Sequence, residues 1–300
     1  MRILVADDSR TSRMILSAVL KNWGFDPVLA EDGKCAWETL QQPDAPGLAI
    51  LDWSMPGLSG LEVCRLVRRM NITDPPYIIM LTSKGEKEDI VFGLEAGAND
   101  YVAKPYDNAE LHARIKVGQR MVEMQAEMNR VKSALSYEAS HDPLTATMNR
   151  RAVLNVLEKE FIRSERESTQ LTIGLLDIDH FKKINDTFGH RVGDEVLCGL
   201  VRVIEESIRV YDCVGRYGGE EFLVITPSKD NVIKEEVYER LSKAVSSAQM
   251  QTAAGPVCIT LSAGVACRKE NDTVDSLLDA ADAALYRAKA QGRNRTVYAQ

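Results

Sequence analysis

The first half of the chain alternates short, wholly apolar runs with amphipathic stretches. The apolar runs are residues 3–6, 48–51 and 77–81, and segments such as 11–23 and 60–70 lie between them. Continuous apolar strands of this kind are typically buried on both faces of a sheet. The alternation therefore predicts a doubly wound parallel sheet, in which functional sites lie at the carboxyl ends of the strands.

Polar side chains follow these apolar runs and the last segment of this half. They are Asp7, Asp8, Asp52, Thr82 and Lys104. Any one of them could cap a helix, as Asp8 could before the segment 11–23. Three carboxylates, a hydroxyl and a lysine that all stand at strand ends are better explained together. The pattern predicts an acidic pocket at one edge of the sheet.

The second half contains the sequence RYGGEEF at residues 216–222, between the strand-like segments 212–217 and 222–226. This pattern predicts a β-hairpin whose tip lacks side chains at Gly218 and Gly219. Missing Cβ atoms leave room for a phosphate or a base, and the carboxylates of Glu220 and Glu221 attract Mg²⁺. An ordinary hairpin with a Gly-Gly turn is the alternative.

A second pair of acids ends the apolar segment 171–179, where Asp177 and Asp179 stand one residue apart. A strand that ends in Asp-x-Asp beside a hairpin with two glutamates is the arrangement expected of a two-metal phosphoryl-transfer site. These carboxylates would repel one another without cations. That repulsion argues against a purely structural role.

One long helix is predicted after Lys116, where glycine and proline are scarce. Apolar residues recur in it at alternating spacings of four and three, at positions 117, 121, 124, 128, 131 and 135. This is the seam of a short coiled coil, and it favours a parallel dimeric stalk. A single helix that packs on its own first domain is the alternative, and the sequence leaves it open.

The bulk properties exclude several classes of protein. Three hundred residues suggest two ordinary domains or one large one. A net charge of -7 argues against broad binding to nucleic acid or to a membrane surface. No apolar run approaches the roughly 20 residues that span a bilayer. The six cysteines form no C-x-x-C pair, so free thiols in a reducing compartment are expected, and we expect a cytoplasmic protein.

The first half resembles a response-regulator receiver domain. The similar segments are 5–9, 51–57, 81–83 and 100–105. The resemblance implies a flavodoxin-like fold over residues 1–118 and Asp52 as the phosphoacceptor for a cognate histidine kinase. It also implies one Mg²⁺ held by Asp8, Asp52 and the Ser54 carbonyl with help from Asp7, and a switch formed by Thr82, Tyr101 and Lys104.

The second half resembles the GGDEF family of diguanylate cyclases, which join two GTP molecules into cyclic di-GMP. The similar segments are 142–145, 149–151, 177–194, 218–222, 262–265, 281–289 and 292–294. The resemblance implies a palm-like α+β domain over residues 141–300, joined to the first domain by a helical linker over residues 119–140. Where the family usually has Gly-Leu after Asp-x-Leu-Thr, this chain has Ala146 and Thr147, and we expect altered linker geometry with little effect on chemistry.

The same resemblance assigns roles to residues of the second half. Two Mg²⁺ ions are held by Asp177, the Ile178 carbonyl and Glu220, and Glu221 either assists the second metal or deprotonates the 3′-hydroxyl. The guanine edge is read by Asn185 and Asp194. The β- and γ-phosphates are bound by backbone amides near His180 and Phe181 and by three cationic side chains, those of Lys182, Lys289 and Arg293.

An Arg-x-x-Asp segment, Arg209 to Asp212, precedes the hairpin at the offset of the family's inhibitory product site. The resemblance implies that cyclic di-GMP binds there and inhibits the enzyme. The hypothesis is therefore a homodimeric, phosphorylation-regulated diguanylate cyclase. The rivals are a GGDEF domain that only senses GTP or cyclic di-GMP, and a cyclase with an adenine-containing product, against which Asp194 argues.

Overall fold

The computed structural model describes residues 1–70, 72–83, 95–228 and 235–299. The chain folds into two compact units, Met1–Ser133 and Ala134–Gln300. The predicted domain boundaries at 118 and 140 stay predictions. Among the described residues, no helix combines the length and the apolar character that a membrane crossing requires.

The first unit is built on a five-stranded parallel sheet in the order β2-β1-β3-β4-β5. Its strands are β1 Arg2–Ala6, β2 Asp26–Ala30, β3 Leu48–Asp52, β4 Tyr77–Thr82 and β5 Asp100–Ala103. Its described helices are α1 Arg10–Asn22, α2 Gly33–Leu40, α3 Gly60–Arg69 and α4 Asn108–Ser140. Alternate residues of the buried strands enter two apolar clusters, one with α2 and α3 and one with α1 and α4. The doubly wound fold predicted for this half is confirmed.

Short polar side chains begin the helices that flank the acidic edge. Ser9 caps α1 by accepting a hydrogen bond from the Ser12 amide at 3.3 Å. Ser59 and Glu62 form a reciprocal capping box at the start of α3. These caps end the loops that follow β1 and β3, so they set where the aspartates of those loops lie.

Helix α4 has two distinct faces. Leu111 and Ile115 are buried in the first unit, Gly118 lies against Tyr77, and the Asn129 amide donates to the Thr73 carbonyl at 3.3 Å. A different face carries exposed apolar side chains at the predicted seam positions Val117, Met121, Met124, Met128, Val131 and Leu135. The helix therefore packs on its own receiver-like unit, as the alternative prediction required, and still leaves the seam exposed.

The second unit contains a five-stranded mixed sheet in the order β12-β11-β6-β8-β7 and a separate hairpin of β9 and β10. The strands are β6 Gln170–Ile178, β7 Cys213–Arg216, β8 Glu221–Ser228, β9 Met250–Thr252, β10 Gly255–Val257, β11 Leu261–Cys267 and β12 Thr296–Tyr298. The described helices are α5 Arg150–Glu167, α6 Phe181–Phe188, α7 His190–Ser207, α8 Glu235–Ser247 and α9 Val274–Ala290.

The central strand of this sheet is β6, which pairs antiparallel with β8 on one side and β11 on the other. One face of the sheet packs on α7 and α8, and the other packs on α5 and α9. The predicted α+β architecture is confirmed. Because β6 is buried along nearly its whole length, the acids at its carboxyl end are fixed in position by the core.

Candidate functional site

The acidic pocket of the first unit forms at the edge that the sequence predicted. Asp7 follows β1, and Asp52 ends β3, which is the neighbouring strand. Asp7, Asp8 and Asp52 each offer a carboxylate oxygen, and these oxygens lie within 4.8 Å of one another. Oxygen ligands this close suit a hard cation such as Mg²⁺.

Lys104 joins two of these acids. Its Nζ donates to Asp7 Oδ2 at 2.8 Å and lies 3.0 Å from Asp52 Oδ1. Burial raises the pKa of Asp52, and the hydrogen bond from Lys104 only partly offsets that effect. Burial alone would lower the pKa of Lys104, but its bonds to the two carboxylates raise it. The ammonium group is thus held charged beside the candidate phosphoacceptor.

The other predicted switch residues lie on the neighbouring strands. Thr82 ends β4 and is buried, and its carbonyl accepts from the Lys104 amide at 2.7 Å. Tyr101 is half-buried on β5, and the Arg114 guanidinium lies 5.9 Å from its ring centroid. Ser54 is exposed in the loop after β3. The structure therefore brings Asp7, Asp8, Asp52 and Lys104 together, whereas the roles of Ser54, Thr82 and Tyr101 stay predictions.

Arg13 is a member of this pocket that the sequence analysis did not single out. Its guanidinium donates to the Asp7 carbonyl at 2.6 Å and to the Asp8 carbonyl at 3.0 Å. A cation that ties down the acidic loop also balances part of its charge. Arg13 lies one helical turn and a loop beyond the two acids in the sequence. This short separation was the signal from which its contact with the acidic loop could have been predicted.

The acids of the second unit also converge. Asp177 stands directly opposite Glu221 in the pairing of β6 with β8. Lys289, in the last turn of α9, donates from Nζ to Asp177 Oδ2 at 2.6 Å. Glu220 and Glu221 are half-buried at the start of β8 and in the turn before it. The predicted acids therefore lie near one another at one end of the mixed sheet, but among the described residues only Asp7, Asp8 and Asp52 bring three carboxylate oxygens within 4.8 Å of one another.

Burial and mutual repulsion shape the titration of this cluster. Burial raises the pKa of Asp177, and the Lys289 ammonium offsets only part of that rise. The pKa of Glu220 is also raised, first by burial and then by the charges of Asp177 and Glu221. Carboxylates that resist ionisation together, and that offer only oxygen donors, fit a site for divalent cations.

The hairpin tip is shaped by contact rather than by unusual backbone angles, since neither Gly218 nor Gly219 has a positive φ. A Cβ on Gly218 would lie 2.3 Å from Glu221 Oε2, so only glycine lets this carboxylate fold over the turn. A Cβ on Gly219 would meet nothing within 4 Å, and this side of the tip is open to a ligand.

Arg216 connects the hairpin tip to the segment that enters the domain. Its guanidinium donates to the Gly219 carbonyl at 2.7 Å and to Asp142 Oδ1 at 3.0 Å. The bonds that Asp142 accepts from Thr145 and Arg216 outweigh its burial and lower its pKa. Arg216 and Asp142 belong to quoted motifs, but their pairing was not predicted.

Besides the two glycines of the hairpin tip, the residues predicted to bind GTP lie at the start of α6, on α6 and α7, and at the end of α9 and in the loop after it. Phe181 begins α6 and is buried, whereas His180 and Lys182 on either side of it are exposed. Asn185 approaches Gly193 so closely that a Cβ there would lie 1.9 Å from Asn185 Oδ1. Asp194 is exposed next to that glycine, on α7. The structure thus places Asn185 against Gly193, the residue that precedes Asp194.

Asp179 has a different place from Asp177. It is 6% exposed, and its carboxylate accepts hydrogen bonds from the Thr260 and Ser262 hydroxyls at 2.7 Å each. It also accepts from the Asn294 amide at 2.9 Å. The second acid of the Asp-x-Asp pair is therefore engaged in a hydrogen-bond network that the sequence did not reveal.

The predicted inhibitory pair lies at the other end of β7 from the hairpin tip. The Arg209 amide donates to Asp212 Oδ2 at 2.9 Å, and the Arg209 side chain donates to Tyr211 Oη at 2.5 Å. Both residues line a cleft of about 390 Å³ together with Ala146 and Glu205. Arg209 is exposed there, within reach of a ligand.

Comparison with known proteins matches both halves to family models. The model of the response regulator receiver domain covers residues 3–116. The model described as "Diguanylate cyclase, GGDEF domain" covers residues 139–295, more than half of the chain. The chain belongs to the GGDEF family. The resemblance of a receiver domain followed by a GGDEF domain is confirmed.

Relatives share one or both domains. Response regulator PleD of Caulobacter vibrioides is 33% identical over 99% of this chain, which covers 65% of PleD. Diguanylate cyclase DgcP of Pseudomonas aeruginosa is 40% identical over 53% of this chain, which covers 24% of DgcP. The chain thus spans less than two thirds of either relative.

Among solved structures, the coiled coil and GGDEF domain of DgcB from Caulobacter crescentus, in complex with c-di-GMP, is similar to this GGDEF protein. It is 33% identical, with a TM-score of 0.55, and the match covers 61% of this chain and 99% of that one. The described fold of the second unit is therefore shared with a ligand-bound relative.

Proposed function

We propose that this protein is a diguanylate cyclase whose activity is controlled by phosphorylation of its receiver domain. The observation that carries the proposal is the convergence of Asp177, Glu220, Glu221 and Lys289 at one sheet edge of a GGDEF domain. The overall reaction joins two GTP molecules into cyclic di-GMP and releases two pyrophosphates. In each step, the 3′-hydroxyl of one GTP attacks the α-phosphorus of the other.

The oxygen donors of Asp177, Glu220 and the Ile178 carbonyl would hold Mg²⁺, with two ions proposed for each GGDEF site. When bound, these ions neutralise charge on the phosphates and on the attacking oxygen. Glu221 lies opposite Asp177 and either assists the second ion or accepts the proton of the 3′-hydroxyl. The Asp177–Lys289 bond places an ammonium group beside the phosphate-binding region.

Each part of GTP meets residues of suitable chemistry in this proposal. Lys182, Lys289 and Arg293 bind the β- and γ-phosphates together with the amides near His180 and Phe181. The paired positions of Asn185 and Asp194 support a guanine pocket, since a carboxylate accepts from the N1–H and the exocyclic amine that adenine lacks there. The open side of Gly219 leaves room for the nucleotide.

The receiver pocket supports control by a histidine kinase. Asp52 would take the phosphoryl group, with one Mg²⁺ held by Asp8, Asp52 and the Ser54 carbonyl and assisted by Asp7. Lys104 now bonds both Asp7 and Asp52, so a phosphoryl group on Asp52 would offer it new oxygens. Thr82 would turn toward the same oxygens, and Tyr101 would follow it inward.

A second copy of this chain is the proposed partner of α4. One face of the helix contacts its own receiver domain, yet the seam residues on another face remain exposed, from Val117 (44%) to Leu135 (59%). A heptad-spaced apolar stripe is stabilised when a second stripe covers it. Each GGDEF domain binds one GTP in this proposal, so two copies must face each other about a two-fold axis.

Product inhibition at Arg209 and Asp212 belongs to the same proposal. The cleft beside these residues is lined by both polar and apolar side chains, and Arg209 suits a phosphate and a guanine edge. The DgcB structure was solved in complex with c-di-GMP, which supports a product site in a GGDEF relative. The cytoplasm is the proposed compartment, and the six free cysteines are consistent with reducing conditions.

The proposal is tested by incubating the purified chain with Mg²⁺ and either GTP, ATP or both, and by identifying the products by mass spectrometry. We expect cyclic di-GMP from GTP and no adenine-containing product from the mixture. Glu221→Gln should abolish the product and keep the melting temperature. If the wild type binds GTP without turnover, and Glu221→Gln preserves signalling in cells, the chain is a sensor instead.

A further inference from the structure

Asp179 lies between the two segments that carry the proposed phosphate-binding groups. It directly follows β6, and its amide donates to the Thr260 carbonyl at 2.9 Å, which extends the pairing of β6 with β11. Residues 180–182 come next along the chain and begin α6. The backbone of Asp179 therefore sets the start of the first phosphate-binding segment.

The carboxylate of Asp179 reaches the second segment. Oδ1 accepts from Ser262 Oγ, whereas Oδ2 accepts from Thr260 Oγ1 and from the Asn294 amide. Three donors at 2.7–2.9 Å occupy a side chain that is almost fully buried. These bonds make Asp179 a bridge between β6, β11 and the loop after α9.

The loop after α9 needs such an anchor. Gly292, Arg293 and Asn294 have φ angles of +111°, +65° and +45°, and the last two are not glycine. Consecutive left-handed residues cost free energy and persist only where surrounding contacts hold them. The bond from the Asn294 amide to Asp179 holds this loop directly beside Arg293 and five residues beyond Lys289.

The first segment shows the same feature. His180 has a φ of +58° and immediately follows Asp179. Left-handed residues thus occur at 180, directly after Asp179 in the chain, and at 293–294, where the Asn294 amide bonds the Asp179 carboxylate, so a single fixed residue adjoins both turns. The amides after His180 and the side chain of Arg293 then keep a constant separation.

We propose that Asp179 is a positioning residue for triphosphate binding, which it achieves by joining the His180–Lys182 turn to the Gly292–Asn294 turn through its buried carboxylate. This inference rests on the proposed function, because it takes the ligand of both turns to be the phosphates of GTP. Asp179 thus acts on binding of the β- and γ-phosphates indirectly, through the two turns that it joins. The guanine pocket of Asn185 and Asp194 should be independent of it.

The test compares two ligands on the full-length chain by calorimetry with Mg²⁺. One is a GTP analogue with a methylene group between the α- and β-phosphates, which cannot release pyrophosphate, and the other is GMP, which lacks both terminal phosphates. Loss of the anchor in Asp179→Ala should weaken binding of the analogue about tenfold or more and change that of GMP less than about twofold. Asp179→Asn keeps one acceptor oxygen and should weaken the analogue only about threefold.

Asp279→Ala, an exposed carboxylate on α9, is the control and should bind both ligands like the wild type. Equal weakening of the analogue and of GMP in the Asp179 variants would show a general loss of structure and overturn the inference, as would unchanged binding. If Asp179→Ala does not fold, Asp179→Asn is used instead, and its loss of affinity for the analogue is compared with its loss of affinity for GMP. Since binding is measured without turnover, a wild type that binds the analogue but makes no product would refute the cyclase proposal alone.

Discussion

The receiver domain and the GGDEF domain each place carboxylates beside one lysine at the edge of a sheet, but the two lysines are held differently. Lys104 contacts both Asp7 (2.8 Å) and Asp52 (3.0 Å), and so it links the ends of two parallel strands. Lys289 comes from a helix and bonds Asp177 at 2.6 Å, while the glutamates lie on a hairpin with an open tip.

This difference fits the proposed roles of the two pockets, a switch in the receiver and a substrate site in the GGDEF domain. In the receiver pocket the Lys104 ammonium bonds the acids at the ends of two strands. A new charge on Asp52 must therefore rearrange contacts inside the domain. In the GGDEF site Arg216 holds the hairpin tip by bonding both the Gly219 carbonyl and Asp142, and the tip is open at Gly219. The comparison teaches that similar acid and lysine groups have different supports in the two domains, two parallel strands in one and a helix in the other.

The largest expected effect comes from a mutation that disables the GGDEF site and leaves the receiver site intact. Asp177→Asn removes charge from the GGDEF site and should lower the rate of cyclic di-GMP formation by about 100-fold or more, since charge stabilisation at a reacting phosphate is worth that much. Phosphorylation of Asp52 by a small phosphodonor should be unchanged. A variant that lost both activities would contradict the independence of the two sites.

The effect of pH on metal binding is the next in size. The raised pKa values of Asp177 and Glu220 mean that their stabilising contribution is present below the unfolded pKa, about 4, and is lost as pH rises through the raised values. Mg²⁺ should therefore restore stability near neutral pH, by about 1–3 kcal/mol at saturating concentration, and should do less at about pH 5.

Thermal melting of the full chain with and without Mg²⁺ at the two pH values measures this effect. Glu220→Gln is the matched control, because it removes a charge from the GGDEF site and leaves the receiver pocket intact. The part of the Mg²⁺-induced rise in melting temperature that comes from the GGDEF site should be smaller in this variant. A shift that is equal at both pH values would contradict the assignment of the raised carboxylates to metal binding.

A smaller effect tests the external support of the hairpin. Asp142 and Arg216 are paired at 3.0 Å with side-chain exposures of 16% and 19%, so this ion pair is partly shielded from water. A double-mutant cycle with Asp142→Asn and Arg216→Gln should give a coupling free energy of about 1–2 kcal/mol in chemical denaturation. Additive effects of the two changes would show that the hairpin tip does not depend on this pair.

The smallest effect concerns Ala146, where the family usually has glycine. Its φ of +58° strains any residue with a Cβ. Ala146→Gly should remove about 1–2 kcal/mol of strain and lose about 0.5–1 kcal/mol of backbone entropy, which leaves a gain of at most about 1.5 kcal/mol. Ala283→Gly, at an exposed position inside α9, should instead lose about 1 kcal/mol. Equal losses in both variants would contradict the strain at Ala146.

Local sequence patterns predicted the doubly wound fold of the receiver and the acids at the strand ends of both domains, whereas the fold of the second domain was implied by its resemblance to the GGDEF family. Buried strands such as β3 read as continuous apolar runs, and the acids of both sites directly follow such runs. The long helix was predicted from its spacing, but its docking on the receiver was left as an open alternative, because residues such as Gly118 and Asn129 carry no distinctive pattern.

Contacts between distant residues could not be read from the sequence. Lys104 lies 97 residues from Asp7, and Arg216 lies 74 residues from Asp142. Asp179 looked like a partner of Asp177 because alternate residues often share a face of a strand. Its actual partners, Thr260 and Ser262, are ordinary hydroxyl residues that become significant only once β11 lies beside β6.

The claim that the receiver controls the cyclase is tested most directly by the rate of cyclic di-GMP formation with and without a phosphoryl mimic such as beryllium fluoride. We predict that the mimic raises the rate of the wild type by about 5- to 150-fold, the usual range of coupling between two sites. Asp52→Asn should keep the basal rate and show no rise. Equal rates with and without the mimic in a wild type that forms cyclic di-GMP would contradict the account.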